Sequence, residues 1–316
     1  MNLLKLRLSM LGTVAVIIAV STLGFSLLLA LVGQFNITTL VIMVALFNVA
    51  QWLLAPYLVN SLYRVKPMAE GEHPHLHSAV ERLSERSGIR TPRLMYSEIP
   101  IPNAFAYGSP LTGSHVAVTK GLLSELDPEE TEAVIGHELG HLKHRDVQVM
   151  MFISFLPSLF YMVARSFMFS SYYGGRDRRD TGGLALVGGL SMLIYFFLLL
   201  FNLSLSRMRE YYADQHSASI VEDGARKLSE GLAKISTSTW RVQSSQRTNM
   251  GLSSFKTLFI ADPDSARRDS AQLSRMGGDD DLVRSIAGRR LTFFDKFSEI
   301  FSTHPNIVKR LRALNA

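Results

Sequence analysis

At 316 residues, 47% of them hydrophobic, with a positive mean hydropathy, the chain has the composition of a membrane protein rather than of an ordinary soluble enzyme. A formal charge of +6 suits basic residues flanking a lipid surface, and no basic stripe interleaved with aromatics appears, which argues against nucleic acid as a partner. Cysteine is absent, so disulfides and thiolate metal sites are excluded and any bound metal must use nitrogen and oxygen ligands.

Residues 8–63 contain no Asp, Glu, Lys or Arg. A bilayer is crossed by roughly 20 apolar residues. The run therefore predicts a hairpin of two spans, residues 8–32 and 37–60, turning at Gly33-Gln34-Phe35-Asn36. A cleaved signal peptide would be shorter and would end in a small-residue site before polar sequence. Two more uncharged runs, 147–164 and 181–206, predict a second hairpin. The expected fold is a mainly α membrane protein with four transmembrane helices in two hairpins. Lys5, Arg7, Arg64, Lys66, Lys143, Arg145, Arg207 and Arg209 flank the four spans on one side, which assigns that side to the cytoplasm. Arg176, Arg178 and Arg179 fall on the other side and count against this orientation.

After the first hairpin, residues 75–86 read as an amphipathic helix with Leu76, Val80 and Leu83 on one face and Gly88 as its stop. His73, His75 and His77 alternate around its start, where a solvated helix entry is the better account than a metal site. Residues 92–96, 103–107 and 115–118 read as strands of a small sheet, with turns at Gly108-Ser109-Pro110 and Thr112-Gly113-Ser114. Within it, Asn103-Ala104-Phe105-Ala106 admits two readings. It is an edge strand that pairs with a peptide substrate, or a structural strand with Asn103 in a turn.

The next stretch, TEAVIGHELGHLKHRD, holds His137-Glu138-Leu139-Gly140-His141. On a helix, residues at i and i+4 share one face, so His137 and His141 can grip one Zn²⁺ while Glu138 reaches the water it activates. The helix is well signalled: Asp127 as N-cap, Pro128 at the first helical position and Glu130 as the capping-box acid. His144 lies near the same face, but a third ligand from one helix rarely closes a tetrahedral site, so it is read as a neighbour.

Span four continues as Arg207-Met208-Arg209-Glu210-Tyr211-Tyr212-Ala213-Asp214. Glu210 and Asp214 are one helical turn apart. Glu210 can supply the missing oxygen ligand, and Asp214 can accept a hydrogen bond from a ligating imidazole. Spacing supports this. Glu210 lies four residues past the fourth span and His141 six before the third, so both stand about 6–9 Å along the helix axis from the membrane.

Residues 224–234 continue as helix, and 236–290 read as a polar insertion whose Asp279-Asp280-Asp281 run lacks calcium-loop spacing. Residues 291–301 are amphipathic, with Phe293, Phe294, Phe297 and Phe301 placed to pack or to touch lipid. His304 opens the terminal segment and has two readings, as an oxyanion stabiliser or as a capping or packing histidine.

HELGH, RMREYYAD, PNAFAYG and THPNIVKR, in this order along the chain, resemble the HtpX-like membrane zinc metalloproteases, relatives of the CaaX prenyl proteases. The resemblance implies a zincin-like α+β catalytic domain facing the cytosol of a plasma or inner membrane, cleaving misfolded or unfolded membrane proteins in quality control. It implies one Zn²⁺ held by His137, His141 and Glu210, with Glu138 as general base and Asp214 orienting a zinc-bound histidine. Asn103 and Ala104 match its substrate-lining strand, and His304 and Arg310 its C-terminal motif beside the substrate. Asn306 departs from the serine many relatives carry. The implied division is a hairpin at 1–63, catalytic sequence at 64–146, a second hairpin at 147–206, a ligand helix at 207–235, the insertion at 236–290 and terminal helices at 291–316. Alternatives are prenyl-peptide processing and a metal-bound but inactive scaffold. A transporter is disfavoured, because the spans hold no charge except Arg165 at an end.

Overall fold

The computed structural model describes residues 37–173, 181–245 and 278–316. The first predicted span and its turn lie outside the described residues, as does the loop between spans three and four. In chain order the elements are α1 (Ile37–Leu62), β1 (Val65–Pro67), α2 (Pro74–Ser87), β2 (Arg93–Ser97), β3 (Ala104–Ser109) and β4 (Gly113–Thr119). Then follow α3 (Lys120–Glu125), α4 (Pro128–Lys143), α5 (Asp146–Tyr173), α6 (Thr181–Ile220), α7 (Gly224–Ser245), α8 (Asp279–Gly288), α9 (Phe293–Ile300) and α10 (Ile307–Leu314).

Three of these helices are long and apolar enough to cross a membrane among the described residues: Val41–Leu62, Gln148–Phe169 and Ala185–Ile220. Two compact units result. One holds residues up to Trp52 together with Gln148–Ser204, and the other holds Leu53–Val147 with Leu205–Ala316. In the first unit Val44 packs on Met162, and Asn202 donates to Ser154 Oγ at 3.1 Å, while Leu46, Leu186, Phe197 and Phe201 stay exposed. Apolar side chains in such numbers on the outside suit hydrocarbon, not water.

The second unit is organised by a four-stranded sheet in the order β1-β2-β4-β3. β1 and β2 are antiparallel, β2 and β4 parallel, and β3 and β4 form an antiparallel hairpin pairing Ala104 with Val118 and Ser109 with Gly113. One sheet face joins the main core, where Val116 and Val118 share a buried cluster with Leu83 of α2, Val134 of α4, Leu228 and Leu232 of α7 and Val308 of α10. The other face carries Tyr63, Met95, Phe105 and Tyr107. β1 escapes the sequence reading because it is a three-residue edge strand ending in a proline.

α2 ends as expected. Gly88 takes φ 65° and its N–H caps the helix, while Leu76, Val80 and Leu83 are buried. The polar stretch assigned to an insertion from residue 236 differs, because α7 continues through Ser245. Its small hydroxyls are buried rather than solvated: Thr237 donates to Ala233 O at 2.9 Å, and Ser238 to Glu125 Oε2 at 2.5 Å. Back-bonding to the preceding turn lets such residues pass as apolar. Asp279, Asp280 and Asp281 likewise form the first turn of α8, where acids favour the helix dipole. Asp279, Asp127 and Glu130 could resemble a metal cluster, but Lys234 Nζ stands among them at 3.0, 3.3 and 2.7 Å. An ammonium group already balances that charge.

Candidate metal centre

All the residues of the predicted site fall in the second unit. α4 starts where the sequence says it should. Asp127 and Glu130 form the capping box, with Asp127 N donating to Glu130 Oε2 at 2.8 Å. One turn apart on this helix, His137 and His141 aim their Nε2 atoms at a common point, 3.2 Å from each other.

The third partner comes from α6, and glycine lets it approach. A Cβ on Gly140 would lie 3.0 Å from Ala213 Cα, and one on Gly136 would lie 3.0 Å from Ser217 Oγ. A larger side chain at either place would prise the helices apart. Ser217 adds a hydrogen bond across the contact, donating to Ala133 O at 2.6 Å. At this spacing Glu210 Oε1 stands 3.5 Å from His141 Nε2, and Oε2 stands 3.7 Å from His137 Nε2.

These separations test whether a metal fits. Bonds of about 2.1 Å from a tetrahedral zinc would hold its ligand atoms about 3.4 Å apart, close to the observed triangle. The opposite ring nitrogens agree. His137 Nδ1 is 2.9 Å from Asp214 Oδ1, and His141 Nδ1 is 2.6 Å from Asp146 Oδ2. The hydrogen bond between His141 Nδ1 and Asp146, and the Asp214 carboxylate within ion-pair reach of His137 Nδ1, favour the proton at Nδ1 and leave the Nε2 lone pairs for a metal. The short Nε2–Nε2 distance is thus two donors turned on one point rather than a hydrogen bond. Charge points the same way. With both imidazoles neutral, as metal ligation requires, four carboxylates (Glu138, Glu210, Asp214 and Asp146) face two guanidiniums (Arg310 and Arg209), a deficit that a dication fills.

Glu138 lies beside the two histidines, with donor atoms of all three within 4.8 Å. Its Oε2 accepts the Ala106 N–H of β3 at 2.7 Å. Burial pushes the Glu138 carboxyl up and Glu210 adds to that, against the pull of the two imidazoles. For His141, burial works to lower the imidazole. The Asp146 hydrogen bond, with Glu210 and Glu138, outweighs it and raises the ring to about 9.

Several expectations are modified. Asn103 and Ala104 were paired as substrate-lining residues, but their backbones face opposite ways. Asn103 is spent inside the sheet, its N–H donating to Thr119 Oγ1 at 2.9 Å and its carbonyl accepting Thr119 N at 3.0 Å. Alternation along the strand turns Ala104 and Ala106 to the outer edge, where Ala106 meets Glu138. Arg310, expected beside substrate, is 1% exposed and lies behind the ligands. Its Nε and Nη2 clasp Asp214 at 2.9 and 2.5 Å, and its Nη1 is 3.2 Å from Glu210 Oε2. His304 does reach the site, with Nδ1 3.3 Å from Glu210 Oε2, and its Nε2 makes no hydrogen bond among the described residues. Asn306 caps α10, its side chain accepting Val308 N at 3.0 Å, the service a serine would perform. His144 stays outside the triangle, its ring near Tyr212 and His216. Sequence reasoning missed Asp146 and the Arg209 that holds it, Nη2 to Oδ2 at 2.8 Å.

Residues 70–316 match peptidase family M48. A protease HtpX homolog of Thermoplasma acidophilum is 36% identical over 271 residues, covering 84% of this chain and 81% of that protein. One from Aeropyrum pernix is 36% identical over 274 residues, covering 84% and 82%. A homolog from Sulfurisphaera tokodaii is 31% identical and covers 98% of this chain and 96% of its own. The crystal structure of S. mikatae Ste24p shares the fold, with a TM-score of 0.56 at 14% identity over 99% of this chain; this chain spans 64% of that one. With its membrane-crossing helices and its HELGH helix, this chain is a multi-pass membrane protein belonging to peptidase family M48.

Proposed function

We propose that the protein is a zinc-dependent endopeptidase that cleaves peptide bonds of unfolded or damaged membrane proteins at the cytoplasmic surface of the cell membrane. The observation that carries this reading is the triangle of His137 Nε2, His141 Nε2 and a Glu210 carboxylate, of a size that suits one tetrahedral zinc. Zinc bound there supplies Lewis acidity towards a scissile carbonyl and the attacking water. Everything else falls to the chain. Asp214 and Asp146 hold the two imidazoles in the ligating tautomer, and Arg310 and Arg209 hold those carboxylates.

Glu138 takes the proton of the attacking water and passes it to the leaving amine, a role that suits a carboxylate whose affinity for protons burial has raised. The outer edge of β3, where Glu138 now holds the Ala106 N–H, would accept an extended peptide as a further strand once Glu138 releases that N–H, which would direct a carbonyl past Glu138. His304 Nε2 is placed to donate to the oxygen that gains charge in the transition state. Homologs named as proteases support hydrolysis. The basic residues flanking the spans support the cytoplasmic side, and the membrane-crossing helices support substrates drawn from the bilayer.

Metal analysis tests the assignment. Purified wild type is expected to carry one zinc per chain, and Glu210→Ala, which removes one of three protein ligands, to fall well below it. An unchanged metal load in Glu210→Ala excludes Glu210 as a ligand.

A further inference from the structure

α9 is built inside out. Its start is well fixed, because Thr292 and Asp295 form a reciprocal capping box. Its buried face is polar, with Asp295 4% and Ser298 3% exposed, whereas Phe293 is 83% exposed and Phe294, Phe297 and Ile300 are exposed beside it. Phe293 stacks on Phe297 with centroids 6.3 Å apart, and Phe297 meets Phe301 edge-on at 5.6 Å. The rings form one continuous apolar ridge. In water an eight-residue helix would be expected to turn its phenylalanines inward and its aspartate outward.

A second observation indicates what the ridge meets. Arg207 Nη1 donates to Ile300 O at 3.1 Å and to Ser302 O at 2.8 Å, fastening the C-terminal end of α9 to α6. Arg207 is the first charged residue after the uncharged run 181–206. The end of α9 is therefore tied to the point on α6 where hydrocarbon-compatible sequence gives way to charge. Charge around the ridge is complementary to lipid as well. Among residues 289–301 the exposed ionic groups are Arg290 and Lys296, both cationic, while Glu299 is occupied by Lys309 and by Asn306 N at 3.1 Å.

We propose that α9 is a membrane-interface anchor, lying along an anionic bilayer with Phe293, Phe297 and Ile300 in the headgroup–acyl boundary. The segment carrying His304 and Arg310 follows α9 directly, so this contact tethers the C-terminal part of the site to the lipid surface.

The absence of cysteine makes the test direct. Phe297→Cys, and Glu81→Cys on exposed α2 as a reference, each take one spin label in the full-length protein in phosphatidylethanolamine–phosphatidylglycerol vesicles. Power saturation with oxygen and a water-soluble nickel chelate is expected to place the 297 label about 5–10 Å below the phosphates, with the 81 label aqueous. Phe293→Cys repeats the measurement should the 297 variant fold poorly. Nickel access at 297 and 293 equal to that at 81 overturns the proposal, because the ridge then faces water. Dipolar broadening at 297 that vanishes on dilution with unlabelled protein overturns it too, and assigns the ridge to a second copy of the chain.

Discussion

Glu138→Gln is expected to keep its zinc and to lose peptide hydrolysis by about 10²–10⁴-fold. The amide is nearly isosteric and is next to the ligands without being one of them, so the triangle of His137, His141 and Glu210 should stand. Gln can no longer take a proton. It can, however, still accept the Ala106 N–H through its carbonyl oxygen, which preserves the contact between α4 and β3. The loss should therefore appear in kcat with little change in KM, the signature of an interaction made in the transition state. Hydrolysis at wild-type rate by the metal-loaded variant would take Glu138 out of the reaction.

The second large effect lies behind the ligands. Arg310→Met leaves Asp214 and Glu210 buried without the guanidinium that faces both, at 2.5 and 3.2 Å. Stranding a buried charge costs about 3–5 kcal/mol, more than the packing of a methionine of similar length recovers. Unfolding in mixed micelles should show that loss in the single variant. Pairing Arg310→Met with Asp214→Asn should return part of it, because one stranded charge is gone. Arg310→Lys should not rescue fully, since an ammonium cannot span both oxygens of Asp214 and also reach Glu210. A cost below about 1 kcal/mol would mean that the pair is solvated and that Arg310 does not sit where the structure puts it.

The parts of the site written in helical spacing were legible in the sequence. His137 and His141 at i, i+4, Glu210 and Asp214 one turn apart, and the cap at Asp127 follow from one periodicity and one hydrogen-bond pattern. Asp146 was not legible for the opposite reason. It is five residues past His141, where a continuous helix would carry it off the face, but Arg145 at φ 53° breaks the helix and returns the carboxylate to the ring. Arg310 was assigned to substrate with the C-terminal motif that the resemblance supplies, and only burial distinguishes a clasp from a recognition group. Residues 236–245 misled because hydroxyls such as those of Thr237 and Ser238 look hydrophilic until the first is seen bonded to its own preceding turn and the second to a neighbour. The glycines of HELGH and of the turn before it carry no chemistry, and their use appears only when Ala213 and Ser217 are seen against them.

Each imidazole is braced by a carboxylate that is itself braced by an arginine, Asp214 by Arg310 and Asp146 by Arg209. None of these struts runs through an ion, so the socket is finished before it is filled. Stripping the protein with a chelator should then silence it without melting it, with helical circular dichroism unchanged and hydrolysis restored by added zinc. A collapse of helix on chelation would place the ion instead among those that small domains need in order to fold.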